Sequence, residues 1–200
     1  MITQSANYRY QRGSSLIEFM IASLIGLILL GVIGSVFISL QKTARQKNLE
    51  LHLLQGLNVT LMVMKDDIQR AGYDGGNGHS LKLSGATDTV TISGAAIGFV
   101  YFKEGDGYQN IKYQQDGNKL EFCSNPVVSQ AQIKTFGGIN SCSPLFDENI
   151  IQVTQFSVSS SALTNGSKST SVTDVSLRLQ TVDGALNTVA AFSIKQRNWQ

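Results

Sequence analysis

Two hundred residues allow one domain with appendages, and much of the 42% apolar content falls in the first forty positions. Net charge is +2; with Arg9 and Arg12 set aside, 14 basic side chains face 14 acidic ones, so nothing electrostatic points to nucleic acid as the main partner. Two cysteines without CxxC or Cys/His spacing, and two isolated histidines, give no ground for expecting a metal or another cofactor.

The head of the chain, Met1 to Arg12, has no acidic residue. Gly13-Ser14-Ser15-Leu16-Ile17-Glu18 follows, and then Phe19 to Leu40, 22 residues without a charge. As a helix that run measures ~33 Å and matches a hydrocarbon core of ~30 Å. A secretory signal would have a shorter apolar core and an Ala-x-Ala site behind it, which is missing here. Glu18 heads the span, where a carboxylate in hydrocarbon costs roughly 2.5–3.5 kcal/mol and needs a partner. The basic residues on the two sides, Arg9 and Arg12 against Lys42, Arg45 and Lys47, nearly balance. The polar, β-rich remainder and its cysteines favour that part lying outside. Ala22 and Gly26, and Gly31, Ser35 and Ser39, are spaced four apart, as in close-packing membrane helices.

No proline interrupts the chain from Gln41 to Ala71, and Leu54, Leu57, Leu61, Met64, Ile68 and Ala71 recur at three and four, widened by Leu49 and Leu53. The pattern predicts an amphipathic continuation of the same helix, one face on a sheet. His52 reads most simply as a surface residue, and the adjacent pair Asp66-Asp67 as a solvated face. Asp74 to His79 is turn chemistry, an exposed loop in preference to a Ca²⁺ loop built on Asp74 and Asn77, and no phosphate loop. Strands are predicted over 87–93, 97–103, 108–115, 119–123, 150–159, 171–181 and 188–197, with a hairpin turn at Asp116-Gly117-Asn118. Residues 161–170, rich in Ser and Thr, read as an exposed loop. Cys123 and Cys142 bracket a long loop containing Pro126 and Gly137-Gly138. They are either free buried thiols or one disulfide, and export favours the disulfide.

Gly13 before Leu16-Ile17-Glu18, with basic residues upstream, resembles the processing site of type IV prepilins and type II secretion pseudopilins. Gln69-Arg70-Ala71-Gly72-Tyr73 is similar to the helix end of PilW/PpdB-like minor pilins, and Phe192 to Asn198 resembles the last strand of many minor pilins. The resemblance implies an α+β type IV pilin fold, with a long N-terminal helix packed on an antiparallel β-sheet. It implies a leader at 1–13, a membrane or filament-core helix at 14–40, its amphipathic half at 41–71 and a globular head at 72–200. Prepilin peptidase would cut between Gly13 and Ser14 on the cytoplasmic face and methylate Ser14, where the family usually has phenylalanine. Glu18 would become the fifth mature residue and pair, in an assembled filament, with the amino group of a neighbouring Ser14. The implied partners are the peptidase, other minor pilins and the major pilin, inner-membrane lipid and a tip adhesin. The implied location is the inner membrane, N-terminus inside, then the extracellular pilus. A disulfide between Cys123 and Cys142 would fix a surface loop, as in many pilins.

No catalytic set stands out: no Gly-x-Ser-x-Gly elbow is present, and the expectation is a structural protein, not an enzyme. The alternatives are a GspJ-type minor pseudopilin of a type II secretion system and, from another class, a membrane-anchored extracytoplasmic binding module.

Overall fold

The computed structural model describes residues 15–165 and 168–195, without the side chains of 163–165, 168 and 169. The chain divides into two compact units, Met1–Asn48 and Leu49–Gln200. One helix, α1 (Leu16–Arg70), contributes to both.

In the first unit every large apolar side chain from Leu16 to Leu40 is exposed. A helix apolar on all sides belongs in lipid or in a larger assembly. Its most apolar 18-residue stretch has a mean hydropathy of 2.7, long and apolar enough to cross a membrane. Two of its hydroxyls are satisfied locally: Ser23 Oγ donates to the Met20 carbonyl at 2.9 Å, and Ser35 Oγ to the Val32 carbonyl at 2.8 Å. A hydroxyl bonded to its own helix costs less in lipid than an unpaired one.

In the second unit the end of α1 buries Leu53, Leu57, Leu61, Met64 and Ile68. The predicted stripe is confirmed from Leu57 onward and corrected at its start. Leu54 and Leu49 are 37% and 41% exposed, and Leu53 takes the core position at 2%. Leu53 lies four residues before Leu57 and so sits above it on the same face. The helix stops at Gly72, whose φ of +85° is the left-handed conformation glycine adopts freely. Gly72 N then donates to the Val100 carbonyl and Phe102 N to the Tyr73 carbonyl, fastening the helix end to the sheet.

The strands are β1 (Val90–Ile92), β2 (Ala96–Lys103), β3 (Gly107–Asp116), β4 (Lys119–Val127), β5 (Cys142–Pro144), β6 (Ile151–Asn165), β7 (Lys168–Thr181) and β8 (Asn187–Lys195). Two antiparallel sheets form where the sequence suggested one: β1-β2-β3-β4-β5 and β6-β7-β8. The fold is α+β, a long apolar N-terminal helix with antiparallel sheets, as expected of a pilin. The segment 161–170, read as a loop, is corrected: β6 and β7 continue as a hairpin to Asn165 and Lys168. Its residues pair across the ladder, Ser161 with Val172 and Thr164 with Ser169, where cross-strand pairing outweighs a loop-like composition. A bulge at Thr154 shifts the β6–β7 register. Without it the buried set Ile151, Val153 and Phe156 would split between faces.

Strand β2 buries five consecutive residues, Ile97 to Tyr101. Ile97, Phe99 and Tyr101 join the main core with α1 and the second sheet. Val100 faces the other way, into a smaller core of Leu81, Leu83, Cys123 and Ile139.

Candidate functional site

Three places carry the chain's chemistry: the start of α1, the cysteine-bracketed loop and a polar cluster under the helix end. Gly13 and Ser14 lie outside the described residues, as do 196 and 197 of the predicted last strand. Glu18 is described. Ser15 precedes the helix, and its Oγ accepts from the Ile17 N–H at 3.3 Å. Glu18 Oε2 reaches back to accept from the Ser15 N–H at 3.0 Å. This Ser-x-x-Glu arrangement is a capping box, which satisfies two donors that an α-helix leaves free at its start. Sequence reasoning placed Glu18 correctly near a helix N-terminus but missed the reciprocal bond, although Ser15 three residues earlier was its signal. Glu18 Oε1 has no partner among the described residues.

Cys123 and Cys142 form a disulfide. The β4–β5 register sets them directly opposite each other. Glu121 and the two sulfurs lie close enough to suggest a metal cluster, but the bridge removes both thiolates that would ligate. The bracketed loop does more than the surface role expected of it. It turns back over the first sheet and lays Ile133, Phe136 and Ile139 on the small core, with Ile139 fully buried. The Phe136 ring covers Gly98, where a Cβ would meet it at 2.9 Å. Lys112 is buried beneath the loop, its Nζ 5.7 Å from the centre of the Phe136 ring, and burial lowers its pKa. Two asparagines clamp the loop. Asn110, fully buried, donates from Nδ2 to the Asn125 carbonyl at 2.8 Å and accepts from the Lys134 N–H at 3.0 Å. Asn125 Oδ1 accepts from the Asn140 and Ser141 N–H groups.

Under the end of α1, Asp67 is buried and accepts a 2.7 Å hydrogen bond from the Tyr113 hydroxyl. The solvated-face reading therefore holds for Asp66 and is corrected for Asp67. Asp67 follows Met64 by one helical turn and so falls on the buried face, next to Ile68. Burial raises the Asp67 pKa above its ordinary 3.8, opposed by the Tyr113 hydroxyl and by Arg70 at 3.8 Å. Burial and the Asp67 charge together push the Tyr113 hydroxyl well up. A carboxyl with a raised folded pKa binds its proton more readily folded than unfolded. Stability therefore falls as pH rises from about 3.8 through the folded pKa, and is level above it. Asp67→Asn keeps an acceptor for Tyr113 and removes this loss. Urea midpoints from pH 4 to 8 should show the variant gaining on the parent as pH rises; a pH-independent gap would contradict the assignment.

Asp74, considered with Asn77 as a cation ligand, is committed elsewhere. Its carboxylate accepts from the N–H groups of Gly76, Asn77 and His79 at 2.6–3.0 Å. These bonds, led by His79, hold its pKa down and fix the glycine turn after the helix. His79 thus acts through its backbone, and the His52 side chain is exposed on α1.

The chain matches the prepilin peptidase-dependent protein B family over residues 46–195 and the prokaryotic N-terminal methylation motif over residues 8–34. No curated protein and no solved structure matches it. The methylation match spans Gly13, Ser14 and Glu18, and the longer match spans the amphipathic end of α1, both sheets and the disulfide. The chain belongs to the prepilin peptidase-dependent protein B family, carries the prokaryotic N-terminal methylation motif and is a type IV minor pilin-like protein.

Proposed function

We propose that the chain is cut between Gly13 and Ser14, methylated on Ser14, held in the inner membrane by α1 with its C-terminal unit in the periplasm, and then built into a type IV pilus. There it joins other minor pilins in the complex that primes assembly near the tip, above the major pilin. The observation that carries this reading is the coupling of two matches on one chain, the methylation motif at 8–34 and the minor pilin family at 46–195. The uncharged, predominantly apolar surface from Phe19 to Leu40 supports it, because that surface needs lipid first and neighbouring helices later.

Glu18 is the residue that links the two environments. In the free subunit its capping bond to Ser15 offsets part of the cost of the carboxylate. In a filament core its second oxygen meets the cationic amino group of a neighbouring Ser14, a charge-assisted pair whose loss leaves an unpaired buried charge. Glu18→Gln separates the two roles, since glutamine also closes a capping box. In cells lacking the chain, re-expression of the wild type restores surface pili, and Glu18→Gln restores at least tenfold fewer while still inserting in the membrane. Normal piliation by the variant contradicts the pairing. Restoration of protein secretion in place of pili assigns the chain to a type II secretion machine.

A further inference from the structure

The disulfide between β4 and β5 has an acidic neighbour. Glu121 stands two residues before Cys123 on β4 and points to the same side of the sheet. One of its carboxylate oxygens lies within 4.8 Å of both sulfurs. Its Oε2 accepts from Gln114 Nε2 at 2.8 Å, and the same amide nitrogen lies 4.0 Å from Cys142 Sγ. The carboxylate is thus held beside the bridge, and among the described residues no ion pair neutralises it. Lys112, opposite Cys123 on β3, is a cation on the same face, but its ammonium sits under the loop by the Phe136 ring and makes no ion pair with Glu121.

The two sulfurs differ in access. Cys123 is fully buried and Cys142 partly exposed, so a thiolate from solvent attacks Cys142. A new bond forms to that sulfur, the bond between the cysteines breaks, and Cys123 departs as a thiolate that takes a proton from water. The entering thiolate carries its negative charge to a sulfur within 4.8 Å of the Glu121 carboxylate. Repulsion at that range slows attack severalfold, and salt weakens it. We infer that Glu121 guards the Cys123–Cys142 bridge, and with it the folded-back loop, against exchange with anionic thiols. The disulfide and the protonated dithiol are both uncharged, so the guard acts on the rate of exchange and not on its equilibrium.

The test uses the full chain in non-ionic detergent micelles at low ionic strength, with loss of the bridge followed by thiol alkylation and mass. Glu121→Gln keeps an acceptor for Gln114 and removes only the charge; Lys112 is the same in both proteins. With mercaptoethanesulfonate, an anionic thiol, the variant should be reduced about threefold faster or more. With tris(hydroxypropyl)phosphine, an uncharged nucleophile, the two should react at equal rates. Added salt should bring the parent's rate with the thiol toward the variant's. In a dithiothreitol redox buffer the two should reach the same equilibrium within about twofold. The inference is overturned if the anionic thiol reduces both proteins equally fast, if salt leaves their ratio unchanged, or if the equilibrium moves as far as the rate. It is also overturned if the phosphine shows the same acceleration, which would assign the effect to opened access instead of removed charge.

Discussion

Replacing both Cys123 and Cys142 by serine lowers the stability of the Leu49–Gln200 unit by about 3 kcal/mol, the loop-closure contribution expected for a bridge of this span. The sequence separation is 19 residues, and the two sulfurs join strands already in register, so the bridge need not distort the fold to form. Its main effect lies in the unfolded chain, which without it must close the loop from a much larger set of conformations. A second consequence is local. Ile133, Phe136 and Ile139 rest on Leu81, Leu83 and Val100 only while the loop is folded back. Urea unfolding with and without reductant measures the first effect. Hydrogen exchange at Lys134, whose N–H is bonded to Asn110, measures the second. Equal urea midpoints for the parent and the double serine variant would contradict this role.

Asn110→Ala costs a comparable amount, roughly 2–4 kcal/mol, because it removes two buried hydrogen bonds and leaves the Asn125 carbonyl and the Lys134 N–H without their partner. Asn110 is fully buried on β3, and both partners belong to the loop region. Asn110→Asp makes the comparison sharper. It keeps the acceptor for Lys134, loses the donor to Asn125 and adds a buried charge, so it should be at least as damaging at neutral pH. Chemical denaturation of the three proteins at pH 7 checks the order; an alanine variant within about 0.5 kcal/mol of the parent, the usual range for a surface change, would show that the loop does not depend on this clamp.

Much of the architecture was readable because it rests on short-range patterns. The three-and-four spacing of Leu57, Leu61, Met64 and Ile68 gave the buried face of α1. Alternation placed Ile111 and Tyr113 together on β3, and both are buried. The misreadings share another cause, long-range pairing. Adjacent leucines at 53 and 54 offer two equivalent phases, and only packing selects the first. The bulge at Thr154 has no local signature, since its effect is to realign Phe156 with a strand some twenty residues away. The segments 161–165 and 168–170 have a loop's composition and are strand because they pair as an extension of the β6–β7 ladder. The loop behind the disulfide carries Ile133, Phe136 and Ile139 three apart, a run too short and too interrupted by Gly137-Gly138 to predict a buried element. Their partners Leu81 and Leu83 lie some fifty residues earlier. At the functional end, the Gly13 to Glu18 motif was legible because a peptidase reads it as linear sequence. The capping box, by contrast, was encoded in Ser15 and Glu18 and went unread.

The central claim is that this chain is made as a precursor and released by cutting at one bond. Mass spectrometry of the N-terminal peptide, from cells with and without prepilin peptidase, tests it directly. With the peptidase, the account predicts a chain beginning at Ser14 and carrying one methyl group on its amino nitrogen; without it, a chain that still contains Gly13 joined to Ser14. An uncut chain in both strains, or the same cut in both, would contradict it.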